Sequence, residues 1–419
     1  MMAKRIPTAQ QTETTVAFGP WPKGMNNRQP DYALPDGTLR NLVNGDITVS
    51  GHLGRRAGYT KVVGGLGLRG GFSCPIGTYF IRNNELCVFG ADESVTVLDT
   101  GIVGPTPTYA YFDGVVYFSD GLVTRKLSAT ASSPWGVPTP AAPTVNITAG
   151  SMPSGTYLVA ITAIGADGVE SGASDLVSIV NPADSGGLQV VGLPTASAAN
   201  IYVSSPNGEM LYLAGTATAG ATSYSVTAAV LGTGAPLTTH QIIPPPPGRI
   251  VREYNGRIYI AAGNVLWVTE PYATSWVHVI RGVIMQPADI TVVEAGSSGL
   301  WVVSDKTYFF RGSGPEDFQI SQALEYGAVF GTGAKIPYAN EVTWYSAKGL
   351  VVASGDGQVK NVQEDNVAPH TGTAGATLIR EQDGSRQAVV SVQQAQLSPL
   401  AASTFFQMEV VRKAGGHKP

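Results

Sequence analysis

Five histidines, two cysteines, a few acidic turns and a cluster of arginines are the residues of this 419-residue chain whose types suit chemistry. His52, His240, His278, His370 and His417 never fall within four residues of one another, so no pair shares a helix face as a zinc site requires. Cys74 and Cys87 lie thirteen apart. They could meet across a hairpin, but two cysteines make neither a disulfide framework nor a metal site, and the expectation is two buried thiols from a reducing compartment. A G-x-S-x-G stretch would set a serine nucleophile on a sharp turn, and G-x-x-x-x-G-K-S/T would cradle a phosphate; neither occurs. "GGLGLRGG" (64–71) contains Gly65-x-Gly67-x-x-Gly70, but no helical pattern follows it, so it reads as a loop rather than a dinucleotide site. The acidic turns "GADGVES" and "SGDGQ" lack the alternating ligands of a calcium loop. "SGDGQV" (354–359) also lacks the Thr-Trp of the S-x-D-x-G-x-T-W turns that sialidase-type blades carry. The expectation is no enzyme, no cofactor and no metal.

What remains is charge. Formal net charge is −4, from 26 Lys and Arg against 30 Asp and Glu, and it is unevenly laid. Residues 1–69 carry nine basic residues (Lys4, Arg5, Lys23, Arg28, Arg40, Arg55, Arg56, Lys61, Arg69) against Glu13, Asp31, Asp36 and Asp46. Residues 138–248 carry Asp167, Glu170, Asp175, Asp184 and Glu209 and no Lys or Arg. Such a break marks separate modules. Arg55, Arg56 and Arg69 are the candidate contacts for a DNA channel or a partner. Arg55 and Arg56 are neighbours in a strand pattern, so at most one faces a given surface, and either also suits locking a carboxylate within the fold.

The elements that would position these residues are strands. Gly 51, Pro 28 and only 13% charged residues, with no sustained 3.6-residue periodicity, describe an all-β chain rich in turns. "EYNGRIYIAAGNVLWVTE" (253–270) sets Asn255-Gly256 and Gly263-Asn264 between β-branched and aromatic runs, a strong hairpin signal. The same grammar recurs at 77–101, 108–128, 290–312 and 341–362. Repeats of one small antiparallel sheet read as β-propeller blades. Tyr111, Tyr117, Phe118, Tyr259, Trp267, Trp301, Tyr308, Trp344 and Tyr345 are expected to pack between them. Five units are visible, and a sixth is expected from residues 44–62 joined in one sheet with 376–393, giving about six blades.

Proline-rich "SSPWGVPTPAAP" (132–143) and "IIPPPPG" (242–248) border the acidic module. About seven short strands between them, with "GTYLVAITAIGADGVESGAS" at their head, resemble an immunoglobulin/fibronectin type III-like sandwich. The expected organisation is an N-terminal arm (1–17), propeller (18–137), inserted sandwich (138–248), propeller (249–395) and a C-terminal tail (396–419). The start has no apolar run after its basic tip and no segment approaches ~18 apolar residues, so neither a signal peptide nor a membrane span is expected.

The segment "FGPWPKGMNNRQPDYALPDGTLRNLVNGDITVSGHLGRRAGYTKV" (18–62) carries a resemblance. Gly24-Met25-Asn26-Asn27, then Asn44, Asp46, Gly51, Leu53, Arg56 and Gly58, are similar to the tail nozzle, or packaged-DNA stabilisation (head-completion), proteins of short-tailed bacteriophages. With the repeats, the resemblance spans 18–62 and 72–393, apart from the insert, which is not a constant of that family. It implies a virion protein made in the host bacterial cytoplasm. Its copies would form a hexameric homo-oligomeric ring below the portal and adaptor, beside tail fibres or spikes. That ring would continue the DNA channel with non-specific contact to duplex DNA, retain the packaged genome and open for ejection. The competing reading is a propeller plus fibronectin-like module that recognises a cell-surface glycan or protein; a glycosidase is the third.

Overall fold

The computed structural model describes residues 19–48, 50–56, 58, 60–90, 92–228, 234–382 and 385–394; the arm 1–17 and the tail 396–419 lie outside them. The chain is all-β, with one three-residue 3-10 turn (Asp31–Ala33) among the described residues.

Its turns are written in the sequence. Asn83-Asn84, Asp113-Gly114 and Asn255-Gly256 each hold two consecutive positive φ angles, the geometry that lets a two-residue turn follow the twist of its strands. Three meanders grow from them, and two more follow, so that five antiparallel sheets succeed one another. The first runs Arg69–Cys74, Gly77–Arg82, Glu85–Phe89, Val95–Asp99, and the second Thr108–Phe112, Val115–Ser119, Thr124–Leu127, Ser132–Pro134. The third runs Ile250–Tyr254, Arg257–Ala262, Val265–Glu270, Ala273–His278, with Val283–Met285 added. The fourth spans Val292–Ala295 to Gln319–Leu324, and the fifth Ala334–Ile336 to Val359–Asn361.

A small sheet with an apolar face must bury it, and these sheets do so against one another in succession. Tyr79, Ile81, Leu86, Val116 and Phe118 fill the space between the first and second sheets. Tyr117, Trp135, Val251 and Ile260 join the second to the third, and Tyr259, Leu266, Leu300 and Phe310 the third to the fourth. Trp301, Phe309, Val342 and Trp344 join the fourth to the fifth, with the two indole rings 5.6 Å apart. Of the aromatics expected to pack between repeats, Tyr111, Trp267 and Tyr308 are only half-buried, and Tyr345, although buried, belongs to none of these clusters and lines a cleft with Met25, Val390 and Val392.

The expected sixth unit takes a different form. Residues 44–62 and 376–393 do not share a sheet: Gly45–Ile47 pairs with Leu53–Arg55, and Gly372–Gln382 pairs with Ser385–Gln394. Each segment turns back on itself, because a local hairpin closes at far lower entropic cost than a pairing across the whole chain.

Within 138–248, two sheets face each other across one core of Tyr157, Val159, Ile161, Leu188, Val190, Ile201 and Val203. One holds Thr144–Met152, Gly186–Val191 and Ser223–Val226; the other holds Val177–Asn181, Gly155–Ile164, Ala198–Ser204 and Leu211–Ala217. The expected border at 248 is too late, since Ile242–Ile243 already pairs with Val277–His278 of the third body sheet. The prolines that follow cannot extend that ladder, which stops there. Cys74 and Cys87 are free thiols on the outer two of three adjacent strands of the first sheet.

Candidate functional site

The leading strands of the five sheets, and the first strand of the C-terminal hairpin, converge on one cavity of about 580 Å³. Gly70–Phe72, Pro107–Tyr111, Arg252–Glu253, Glu294–Ala295, Ala334–Lys335 and Ala376–Thr377 line it. In each of the five sheets the lining strand stands at one edge, and the meander then continues from it in sequence order.

Its charges are largely spoken for. Glu294, almost fully buried, accepts from Arg252 Nε at 3.0 Å and Nη2 at 2.8 Å. Arg252 Nη1 also donates to the Val251 carbonyl and the Thr108 hydroxyl, at 2.8 and 3.4 Å. A carboxylate this deep is tolerated only with such partners, so the pair fixes the third sheet against the fourth. Glu253 accepts from Gly256 N at 3.2 Å, and Lys335 is exposed. Tyr109 stacks on Phe72 at 5.3 Å, and burial pushes its hydroxyl pKa well up. Glu294 is the kind of residue sequence reading misses: an acid inside the apolar run "TVVEA" was its signal.

This volume suits a small molecule. At ~30 Å³ per water it holds about twenty waters. The cavity holds no nucleophile activated by a base, and among the described residues no group of three or more His, Cys, Asp or Glu is placed to hold a metal.

The arginines singled out in the sequence are not gathered into a cluster. Arg56 Nε lies 3.5 Å from Asp46 Oδ1, the structural alternative foreseen for one member of the pair. Arg69 donates to Asn84 Oδ1 at 3.2 Å and to the Ile102 carbonyl at 2.7 Å, which fastens the edge of the first sheet. Arg55 is exposed and has no hydrogen-bond or ion-pair partner among the described residues.

Of the residues quoted for the resemblance, Asn27 and Asp46 reach the C-terminal part of the chain. Asn27 N donates to the Asn366 carbonyl at 3.0 Å, and Asn27 Oδ1 accepts from Ala368 N at 2.6 Å. Asn26, 2% exposed, turns its Oδ1 to the amides of Arg28 and Gln29, and Arg28 Nε reaches the Val367 carbonyl at 3.0 Å. Gly51, at φ 81°, accepts from Trp21 N through its carbonyl at 2.7 Å. Asp46 meets Arg380 Nη2 at 2.8 Å. Together they clasp the first described residues to the segment after the fifth sheet.

A second cleft of about 510 Å³ lies where the 138–248 module meets the second and third sheets. Tyr117, Lys126, Glu170, Tyr272, Thr274 and Trp276 are among its walls. The module is tied there by Trp276 Nε1 donating to the Glu170 carbonyl at 2.6 Å and by the Lys126–Asp167 ion pair. Tyr272 stands 79% exposed at the rim, in a left-handed backbone conformation (φ 57°).

No family model matches the chain, and no curated protein matches it either. Solved structures similar to it include a streptogramin B lyase (13% identity, 78% of this chain and 94% of that one, TM-score 0.32). Apo AztD from Citrobacter koseri (8%, 71% and 71%, 0.30) and BBS1N in complex with ARL6DN (10%, 78% and 92%, 0.29) are others. At such identities and TM-scores nothing about activity passes between them and this chain. No helix among the described residues is long and apolar enough to cross a membrane.

Proposed function

We propose that the chain is a structural, non-enzymatic subunit of a short phage tail. In this reading several copies form a nozzle ring that continues the DNA channel, holds the packaged genome and opens for ejection. The observation that carries it is the clasp: Asn27 and Asp46, two of the residues by which 18–62 resembles nozzle proteins, bind the N-terminal segment to Asn366, Ala368 and Arg380. The finer fold that goes with it is a propeller of about six blades with an inserted fibronectin-like sandwich. The five sheets and the C-terminal hairpin would be set around the axial cavity. An all-β body with paired charges and no catalytic grouping suits a part that must be rigid. Negative-stain microscopy of the purified full chain tests this: a closed ring with an open lumen is expected, and a monomer at all concentrations overturns it.

One observation favours a second reading, a module that binds a cell-surface glycan. Tyr272 and Trp276 set aromatic faces beside the hydroxyls of Thr274 and Ser275 in the cleft at the module junction. Binding of cell-wall polysaccharide by a monomer, lost in Tyr272→Ala, would favour it.

A further inference from the structure

Two surfaces remain unmatched, and they match each other. The first is the strap that joins Leu53–Arg55 to Arg69–Cys74. Between Asp46 and Glu85 the sequence holds no acid, and Arg55 and Lys61 of the strap are exposed without a partner among the described residues. Val62 and Leu66, further along the same segment, are 64% and 82% exposed. Leu66 is held in place, since it and Asn83 exchange backbone and side-chain hydrogen bonds at 2.9 and 3.0 Å.

The second surface is the far tip of the 138–248 module. Its long strand Gly155–Ile164, ten residues or ~30 Å, runs from the tip to the body. At the body end Asp167 is paired with Lys126, and Glu170 Oε1 is consumed by Thr162, Asn200 and Tyr202. At the tip, Asp184 accepts from Ser154 N, and Asn207 is bound to both backbone groups of Thr156. These contacts gather exposed Asp184 and Glu209 with Val180 and Met210, 62% and 61% exposed, at one end of the module. No Lys or Arg lies anywhere in 138–248 to neutralise them.

We infer that the acidic, apolar tip of one copy docks on the basic, apolar strap of the next. Opposite charge and exposed apolar side chains on both faces supply the complementarity. The strap leads into the first sheet, while the module leaves between the second and third. The contact therefore joins two different patches and propagates head to tail, as a ring requires. This inference rests on the proposal that the chain assembles with itself.

The test is charge exchange in the full chain, read by analytical ultracentrifugation near physiological salt. Arg55→Glu with Lys61→Glu on the strap, and Glu209→Lys with Met210→Lys at the tip, are each expected to raise the assembly Kd at least about 10-fold. Neither protein should assemble alone, whereas an equimolar mixture should, because every contact in an alternating ring is again between opposite charges. If both exchanged proteins assemble like the parent, the ring stands and this contact is wrong. If the parent is monomeric, the ring reading falls and this inference with it. If the strap exchange leaves assembly intact and abolishes only duplex DNA binding, the strap is a nucleic-acid surface and the inference is overturned.

Discussion

Asp46 and Arg380 stand 334 positions apart in the chain and 2.8 Å apart in the fold. Asp46 also faces Arg56 at 3.5 Å, so one carboxylate holds two guanidinium groups from opposite ends of the sequence. The two hairpins that these residues belong to share no ladder; this contact joins them, while Asn27 ties the segment before the first hairpin to the segment before the second. The Asp46–Arg380 contact closes the N-terminal hairpin onto the C-terminal one across most of the length of the chain.

The pH dependence of that closure follows. The hydrogen bond from Arg380, with the Arg56 charge behind it, holds the Asp46 carboxyl below its ordinary value against a smaller opposing effect of burial. A pKa lowered on folding contributes stability above the unfolded value, ~3.9, and that contribution is lost as pH falls through the folded value. Asp46→Asn is therefore expected to melt earlier than the parent at pH 7, by at most about 2–4 °C for a partly exposed pair, and to converge with it below pH ~3. Melting curves by circular dichroism across pH 2.5–7.5 check this. A gap that widens on acidification would contradict the assignment.

Trp135 should matter more. It is 2% exposed, donates from Nε1 to the Thr274 carbonyl at 2.8 Å, and lies 5.0 Å from the Tyr117 ring. It thus fills the joint between the second and third sheets where the 138–248 module departs. Trp135→Ala is expected to cost about 3–5 kcal/mol through the cavity it leaves. Trp135→Phe should cost about 1–3 kcal/mol, because the buried carbonyl then lacks its donor. Denaturant unfolding measures both, and a Phe variant as stable as the parent would show that the hydrogen bond contributes nothing.

Much of this was legible from local signals. The Asn-Gly and Asp-Gly turns, the spacing of the repeats and the aromatic strands mark the sheets, because turn geometry and a two-residue period are properties of neighbours in sequence. What was missed is non-local. Nothing near Asp46 announces Arg380, and the expected mixed sheet of 44–62 with 376–393 gave way to two local hairpins tied by an ion pair. Arg69 looked like a free cation in sequence but spends its donors on Asn84 and Ile102, which only the fold brings near. The prolines at 244–247 gave no sign that Ile242–Ile243 just before them joins the body through pairing with distant Val277–His278.

That last pairing sets where the module can be cut. A fragment of residues 140–241 keeps both sheets and their shared core of Tyr157, Ile161, Leu188 and Ile201, and leaves Ile242–Ile243 behind. It is expected to give dispersed amide signals by NMR and a single cooperative melt. Its cut face at Glu170, which receives the Trp276 indole in the full chain, should be its most rapidly exchanging part. A random-coil spectrum would mean that the module depends on the body for its fold.

Duplex DNA should meet this protein weakly. Of its 30 acidic residues five lie in 138–248, which leaves 25 against 26 basic ones for the rest of the chain. Of the basic residues, Arg252, Arg380, Arg125 and Arg257 are paired with carboxylates at 2.5–2.8 Å, and Arg69 is bound to carbonyl groups. Tight phosphate binding needs several free cations acting together, with affinity falling steeply as salt rises. A conduit through which DNA must move gains from their scarcity, since each neutralised phosphate would slow the strand. Fluorescence anisotropy with a labelled duplex should give a Kd of roughly 10⁻⁴ to 10⁻⁶ M near physiological salt, independent of sequence. Raising the salt should weaken it further, with a shallow slope because few phosphates are neutralised. Nanomolar, salt-insensitive binding to one defined sequence would make this a reader of DNA rather than a passage for it.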